Sequence, residues 1–360
     1  MNLRKALIIF LAILPPLLLT GCGGKDPINE LPPPTPIDNP GGGEEGGAGK
    51  EVTPLGEGWT AKAVDDGVVY YSFSGVDEIS KLKQEVFAVD VDLNNSKYQV
   101  KLAYTSPRTT TSAAFKRFGA IAAMNANYEP GSIYIRVAGD EKSNLPNVTI
   151  GDTGVPNWKS EAAFACDGER GVQIFFAGSS KRDGRITGIK GHTVSEAVGM
   201  QRTFYSTTSK TEMYDLISSA PMLIDNFEKV GEKFCDYSLS SSDVNKLNGE
   251  DPDRHQRVRH PRSAVALTEN GHFIMLVVDG RTNYSNGMTC RELTRFMAKW
   301  FNPQYALNMD GGGSSSICVK GEGDPSTHVV NYPVNDVSDK TMRDHTHERT
   351  RDVHFVILKK

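Results

Sequence analysis

The apolar residues of this chain fall into short runs bounded by turn residues, a pattern that predicts a sheet protein with few helices. The longest run, Phe273-Ile274-Met275-Leu276-Val277-Val278, has no polar interruption, which marks a strand buried on both faces. Asn270-Gly271 separates it from the apolar residues 264–267 and predicts a tight hairpin. After the run the period changes. Thr289-Cys290-Arg291-Glu292 reads as a capping box, and Leu293, Phe296, Met297 and Trp300 recur at helical spacing as one core-facing stripe. Asn302-Pro303 ends that helix. Tyr305-Ala306-Leu307 begins another strand, and residues 353–358 form a closing one. The two strands flanking the helix are read as neighbours that each deliver an aspartate, Asp279 and Asp310, at or near their ends.

Nearer the N-terminus, residues 86–91 and 98–102 have strand composition, with Asn94-Asn95-Ser96 as the turn between them. Residues 111–118 predict a short helix, followed by the small apolar strand 120–124. Residues 139–256 are less regular, with short strands at 172–176 and 222–224 among polar loops. The expected class is α+β: mixed, largely antiparallel sheets with a few packed helices.

The first residues follow a different logic. Arg4 and Lys5 precede the apolar residues 6–19, and the stretch closes on Leu19-Thr20-Gly21-Cys22. This is the layout of a secretory signal, and its ending resembles a bacterial lipobox with Cys22 as the lipidated residue. Residues 1–21 are therefore read as a lipoprotein signal peptide. Residues 22–57 are read as a Gly/Pro-rich tether: Pro32-Pro33-Pro34 and the run Gly41-Gly42-Gly43-Glu44-Glu45-Gly46-Gly47 offer almost nothing to bury. Residues 58–360 are the folded domain. The expected location is the bacterial cell envelope, lipid-anchored and facing the periplasm or the surface. Cys166, Cys235, Cys290 and Cys318 match no zinc spacing, and an oxidising compartment permits one or two disulfides among them. A formal net charge of −4 over 360 residues gives no electrostatic footprint for nucleic acid.

The stretch richest in chemistry is Tyr305-Ala306-Leu307-Asn308-Met309-Asp310-Gly311-Gly312-Gly313-Ser314-Ser315. It predicts a strand, a tight polar loop and a second strand. Glycines let a ligand approach the backbone closely, and successive N–H groups in such a turn can form an anion-binding concavity. No Lys-Ser/Thr pair follows, so it is not a P-loop. Asn125 and Asn127 lie two apart at a strand end and point to one side, a place for ligand hydroxyls. Asp344, His345, His347 and Glu348 read as a solvated loop rather than a metal site. No cofactor is assigned, and a divalent metal is left open.

Several segments resemble the phosphodiester glycosidase family. They are Met124-Asn125-Ala126-Asn127-Tyr128, Ser219-Ala220-Pro221-Met222-Leu223, Pro261-Arg262-Ser263-Ala264, Val278-Asp279-Gly280-Arg281, Ser285-Asn286-Gly287-Met288-Thr289, and the glycine stretch from Ala306 to Ser315. The resemblance covers residues 86–358 in order and spacing. Ala126 and Asn127 depart from it, standing where the family often has glycines. It implies hydrolysis of a sugar-1-phosphodiester of the N-acetylglucosamine type by C–O cleavage, so the expected partner is a carbohydrate phosphodiester. For that chemistry Asp310 is read as the carboxylate that acts at the anomeric carbon or activates water, Asp279 as a carboxylate that orients an arginine or hydroxyl, and Glu348 as a second carboxylate. Arg262 and Arg281 would hold phosphoryl oxygens in fork geometry. Asn125, Asn127, Asn308, Gly311, Gly312, Gly313, Ser314 and Ser315 would complete the substrate site. The alternatives are a metal-dependent phosphodiesterase cutting P–O, and a surface lipoprotein that only binds glycans.

The anchor is testable directly. Cys22→Ser is expected to move the protein out of the membrane fraction or to block its processing, as read by fractionation and blotting; normal maturation with retained membrane association would rule out the lipobox.

Overall fold

The uninterrupted apolar run lies at the centre of a seven-stranded sheet. In the computed structural model, which describes residues 52–145, 147–169, 171–177 and 192–360, the strand order is Trp59–Asp65, Val68–Val76, Lys83–Asp92, His272–Val278, Arg262–Leu267, Tyr305–Asn308, Met222–Asp225. Every strand is antiparallel to its neighbours. All six residues of the run are buried, as both faces of a central strand require. Asn270-Gly271 forms the expected hairpin, with Gly271 in the left-handed region at φ 82°.

Two smaller antiparallel sheets complete the fold. One orders Ile317–Val319, Ala122–Asn125, Arg351–Lys359 and Tyr98–Thr109. The other orders Asp140–Ser143, Ile135–Val137, Asp215–Ser219, Ala162–Cys166 and Val172–Phe176. With helices few and packed on the sheets, the class is α+β, and its pairings are antiparallel throughout the described strands. A single apolar cluster runs through all three sheets, from Trp59 through Phe164 to Phe355.

The helix Cys290–Trp300 begins at the capping box read from the sequence, with Thr289 and Glu292 exchanging hydrogen bonds. Its buried stripe faces an aromatic group from the first two strands: Phe296 lies 5.9 Å from Trp59 and 6.1 Å from Phe73, ring centre to centre. A second long helix, Val194–Thr207, lies in the segment read as irregular. Thr193 and Glu196 form a capping box there too. Its buried face is Ala197, Val198, Gln201 and Tyr205, and a glutamine in the middle of that stripe conceals the helical period.

Cys166 and Cys318 are buried, unbridged thiols, so the permitted disulfides do not involve them. The signal segment, Cys22 and the tether through residue 51 lie outside the described residues. Val52 and Leu55 already pack against the core.

Phe296 is fully buried, so Phe296→Ala is expected to cost about 3–5 kcal/mol. Urea unfolding of the two proteins side by side checks this.

Candidate active site

Register brings the chemistry to one edge of the central sheet. Arg262 pairs with Val278, and Ala264 pairs with Asn308. The start of strand Arg262–Leu267 therefore lies beside the ends of the two strands that deliver aspartates. Those two strands are not hydrogen-bonded neighbours as expected from the sequence; the Arg262 strand runs between them. Beyond the edge, backbones cross so closely that side chains are excluded. A Cβ on Gly311 would lie 2.7 Å from the Pro261 carbonyl oxygen, and one on Gly287, at φ 77°, would lie 2.5 Å from that of His260. The Gly312 N–H donates to Pro261 O at 2.8 Å, fastening the glycine loop to the start of the Arg262 strand.

The loop and the edge enclose a cleft of ≈ 330 Å³. Asp310 is buried in its wall, paired with Arg351 at 2.8 Å. Burial raises the Asp310 pKa, while the Arg351 charge, the Ser314 hydroxyl and the Lys159 charge pull it back. Arg351 is itself immobilised: its Nε and Nη2 donate to Ser314 Oγ at 2.9 and 2.6 Å, and its Nη1 donates to Glu129. One guanidinium thus holds two cleft carboxylates side by side.

The three other arginines of the cleft lack such partners among the described residues. Arg262 is buried, and its guanidinium donates to Met288 O, Gln256 Oε1 and Val258 O, each at 2.8 Å. Burial lowers its pKa, yet a guanidinium stays charged in proteins. Arg281 follows Gly280 in the left-handed region at φ 63°, and its Nη2 donates to His260 Nδ1 at 3.0 Å. Arg349 donates through Nε to Asn335 Oδ1 at 2.7 Å. Among the described residues, none of these three guanidiniums has a carboxylate partner, and all three line the cleft. Burial, with Arg262 and Arg281 nearby, pushes His260 down to about 3, so its ring is neutral and accepts from Arg281. Lys159, also in the lining, pairs with Glu250 at 2.7 Å and sits 4.7 Å from the centre of the Tyr128 ring.

Of the residues singled out from the sequence, Asp310, Arg262, Arg281 and Gly311, Gly312 and Gly313 come together here. Arg262 differs from expectation in that its fork is filled by the chain's own acceptors; it contributes charge rather than a free fork. The expected concavity of N–H groups is also reduced, because Gly312, Ser314 and Ser315 donate to the carbonyls of Pro261, Gly311 and Gly312. The remaining residues form the scaffold around the cleft. Asp279 turns away and accepts from Asn331 Nδ2 and Tyr332 N, both at 2.9 Å. Glu348 accepts from Ser112 N at 3.0 Å, at the start of helix Thr111–Phe118, and from Ser316 Oγ. Asn125 clamps the glycine loop: its Nδ2 donates to Asp310 O, and its Oδ1 accepts from Ser263 Oγ and Ser316 N. Asn127 holds Tyr128 O and Val353 N, and Asn308 donates to Tyr128 Oη and two carbonyls. All three asparagines are fully enclosed, with 0 or 1% exposure, so none presents an amide to a sugar. Ser314 Oγ serves Arg351, and Ser315 Oγ accepts from Ser263.

Sequence reading missed Glu129, Lys159, His260, Arg349 and Arg351. A signal existed for the last two. They are arginines two apart, Arg351 opening the closing strand and Arg349 just before it, and both line the cleft. Among the described residues, no group of three or more His, Cys, Asp or Glu side chains is placed to share a metal ion. His345 stacks on Tyr332, and His347 pairs with Asp344.

Comparison with known proteins gives three findings. A family described as phosphodiester glycosidase matches residues 160–357, more than half of the chain. The catalytic domain of the zebrafish N-acetylglucosamine-1-phosphodiester alpha-N-acetylglucosaminidase, a structure auto-inhibited by its pro-peptide, superposes with a TM-score of 0.52 at 16% identity, covering 84% of this chain and 88% of that one. A hypothetical protein from Synechocystis does so with a TM-score of 0.54 at 12% identity, over 84% of this chain and 64% of that one. At such identities the likeness is one of fold. In sequence, the SPbeta prophage-derived uncharacterized protein YomE of Bacillus subtilis (strain 168) is 35% identical over 68 residues, which is 18% of this chain and only 10% of that protein.

Asp279 gives a pH test. Burial raises its carboxyl from 3.8 to about 7. A carboxyl whose folded pKa lies above the unfolded value favours the folded state when protonated, so its contribution is lost as pH rises from about 4 to about 7. Asp279→Asn is expected to flatten that part of the stability–pH curve in urea unfolding. It should change kcat/KM by less than about tenfold, in contrast to a change in a group that meets substrate.

Proposed function

Since the chain belongs to the phosphodiester glycosidase family, we propose that it hydrolyses a sugar-1-phosphodiester, breaking the bond between the anomeric carbon and the ester oxygen. The observation that carries this reading is the company Asp310 keeps: one buried carboxylate beside a fixed guanidinium, in a cleft with three further guanidiniums that have no carboxylate partner among the described residues. A phosphodiester brings the single negative charge that such a cleft lacks. The zebrafish protein of the same fold is named for an N-acetylglucosamine-1-phosphodiester, which supports an N-acetylglucosamine-like sugar as the substrate proposed here.

In this reading Arg281 and Arg349 meet the phosphoryl oxygens, Arg281 using donors that His260 does not occupy. Arg262 adds its charge from behind. Asp310, paired with Arg351, acts at the anomeric carbon as positive charge develops there. The departing group is a phosphate monoester with a second pKa of about 6, so it leaves without a strong general acid. The guanidiniums supply what it does need, stabilisation of charge that grows on the phosphate as the bond breaks. With Cys22 lipidated, this chemistry would take place in the cell envelope, at the end of the tether.

Asp310→Asn is expected to keep the fold and lose at least about 100-fold in turnover, measured with purified full-length protein on the methyl phosphodiester of N-acetylglucosamine 1-phosphate, with and without chelator. Arg281→Ala should raise KM on that diester while leaving the weak reaction with a neutral methyl glycoside unchanged. Hydrolysis in oxygen-18 water is expected to label the reducing sugar and leave methyl phosphate unlabelled. Label in methyl phosphate would make the protein a phosphodiesterase that cuts P–O.

A further inference from the structure

Double displacement at a sugar carbon needs a second carboxylate close to the nucleophile, at roughly 5–5.5 Å, against roughly 6.5–9.5 Å for a pair that activates water directly across the ring. Asp279 and Glu348 are held elsewhere. Two other carboxylates besides Asp310 line the cleft, Glu129 and Glu250. Glu250 is bound to Lys159, which is itself buried. Glu129 shares Arg351 with Asp310, one carboxylate on each terminal nitrogen of the same guanidinium.

Resting on the reading of Asp310 given above, we propose that Glu129 is the general base of a two-step, retaining reaction. Its backbone is fixed at the cleft mouth, because the Glu129 carbonyl accepts from Ser132 N and Ser132 Oγ and so closes a turn directly after the strand Ala122–Asn125 and the buried Tyr128. The two carboxylates differ in their access to water. Asp310 is enclosed, with its side chain 10% exposed, whereas that of Glu129 is 56% exposed at the mouth. Its outer partner Arg108 is also exposed, and such a surface pair is weak.

In the first step an Asp310 oxygen forms a bond to the anomeric carbon while the bond from that carbon to the ester oxygen breaks, and its electron pair leaves with the phosphate monoester. In the second, water gives a proton to a Glu129 oxygen and bonds to the same carbon. The bond to Asp310 breaks, and its electron pair returns to that carboxylate. Arg351 stabilises whichever carboxylate is charged at each stage.

The test uses full-length Glu129→Gln, whose amide oxygen can still accept from Arg351, on the methyl phosphodiester of N-acetylglucosamine 1-phosphate. Expected are a steady-state rate lower by about 100-fold, an initial burst of methyl phosphate stoichiometric with enzyme, and recovery of turnover by azide with a glycosyl azide of the substrate's anomeric configuration. A folded Glu129→Gln enzyme that turns over normally, or one that is slow with neither burst nor azide rescue, overturns the proposal. If Asp310→Asn is inactive in the same assay, only the role of Glu129 falls; if Asp310→Asn is also normal, the reading of the site falls with it.

Discussion

The guanidinium of Arg351 is the contact on which the site depends. It leaves the first residue of the closing strand, binds the hydroxyl of Ser314 at the end of the glycine loop, and meets Asp310 and Glu129 with its two terminal nitrogens. Two of these partners come from the glycine loop, and Glu129 comes from a turn almost two hundred residues earlier. Without this cation, Asp310 would be an enclosed carboxylate whose burial drives it toward the neutral form, and the glycine loop would lose one of its ties to the four-stranded sheet. Breaking a buried ion pair by removing one partner typically costs about 3–5 kcal/mol, because the other charge remains uncompensated. Here that cost would fall on the reactive group itself.

The other three arginines of the cleft are arranged on the opposite principle. Arg262, Arg281 and Arg349 are held by hydrogen bonds to carbonyls, amide oxygens and a neutral histidine, none of which cancels their charge. The fold therefore keeps donor geometry fixed while leaving positive potential in the cleft. Pre-set charge of this kind needs no rearrangement when a negative group arrives or when charge grows on it during reaction.

Much of the fold was legible because its core strands are continuous apolar runs, and because the helix Cys290–Trp300 announces both its cap and its buried stripe. The glycine stretch was legible as a close-approach loop for a similar reason: three consecutive residues lack Cβ atoms. What could not be read was orientation. Asp279 and Asp310 look alike in sequence, each followed by glycine just beyond an apolar strand. One turns to Asn331, which arrives from a loop about fifty residues later, and the other turns to Arg351. Asn125, Asn127 and Asn308 look like ligand-facing amides, yet they satisfy backbone groups where three chain segments meet. Glu129 and Arg351 carried no motif of their own, since a charged residue beside a turn or a strand end ordinarily faces solvent.

The close backbone crossings at Gly280, Gly287 and Gly311 bear on how such a site can diversify. A side chain at any of the three would collide with another backbone, so these crossings, one of which lines the cleft at Gly311, tolerate little substitution. The part of the lining that carries Lys159, Gly249, Glu250 and His255 has no such restriction: it comes from loops and the short helix Pro252–Arg257, and a Cβ on Gly249 would meet nothing. New substrate preferences would accordingly arise by exchanging that part of the lining while the glycine crossings and the arginines stay as they are. One reaction could then be retained across a lineage while the sugar or the group attached to its phosphate changes.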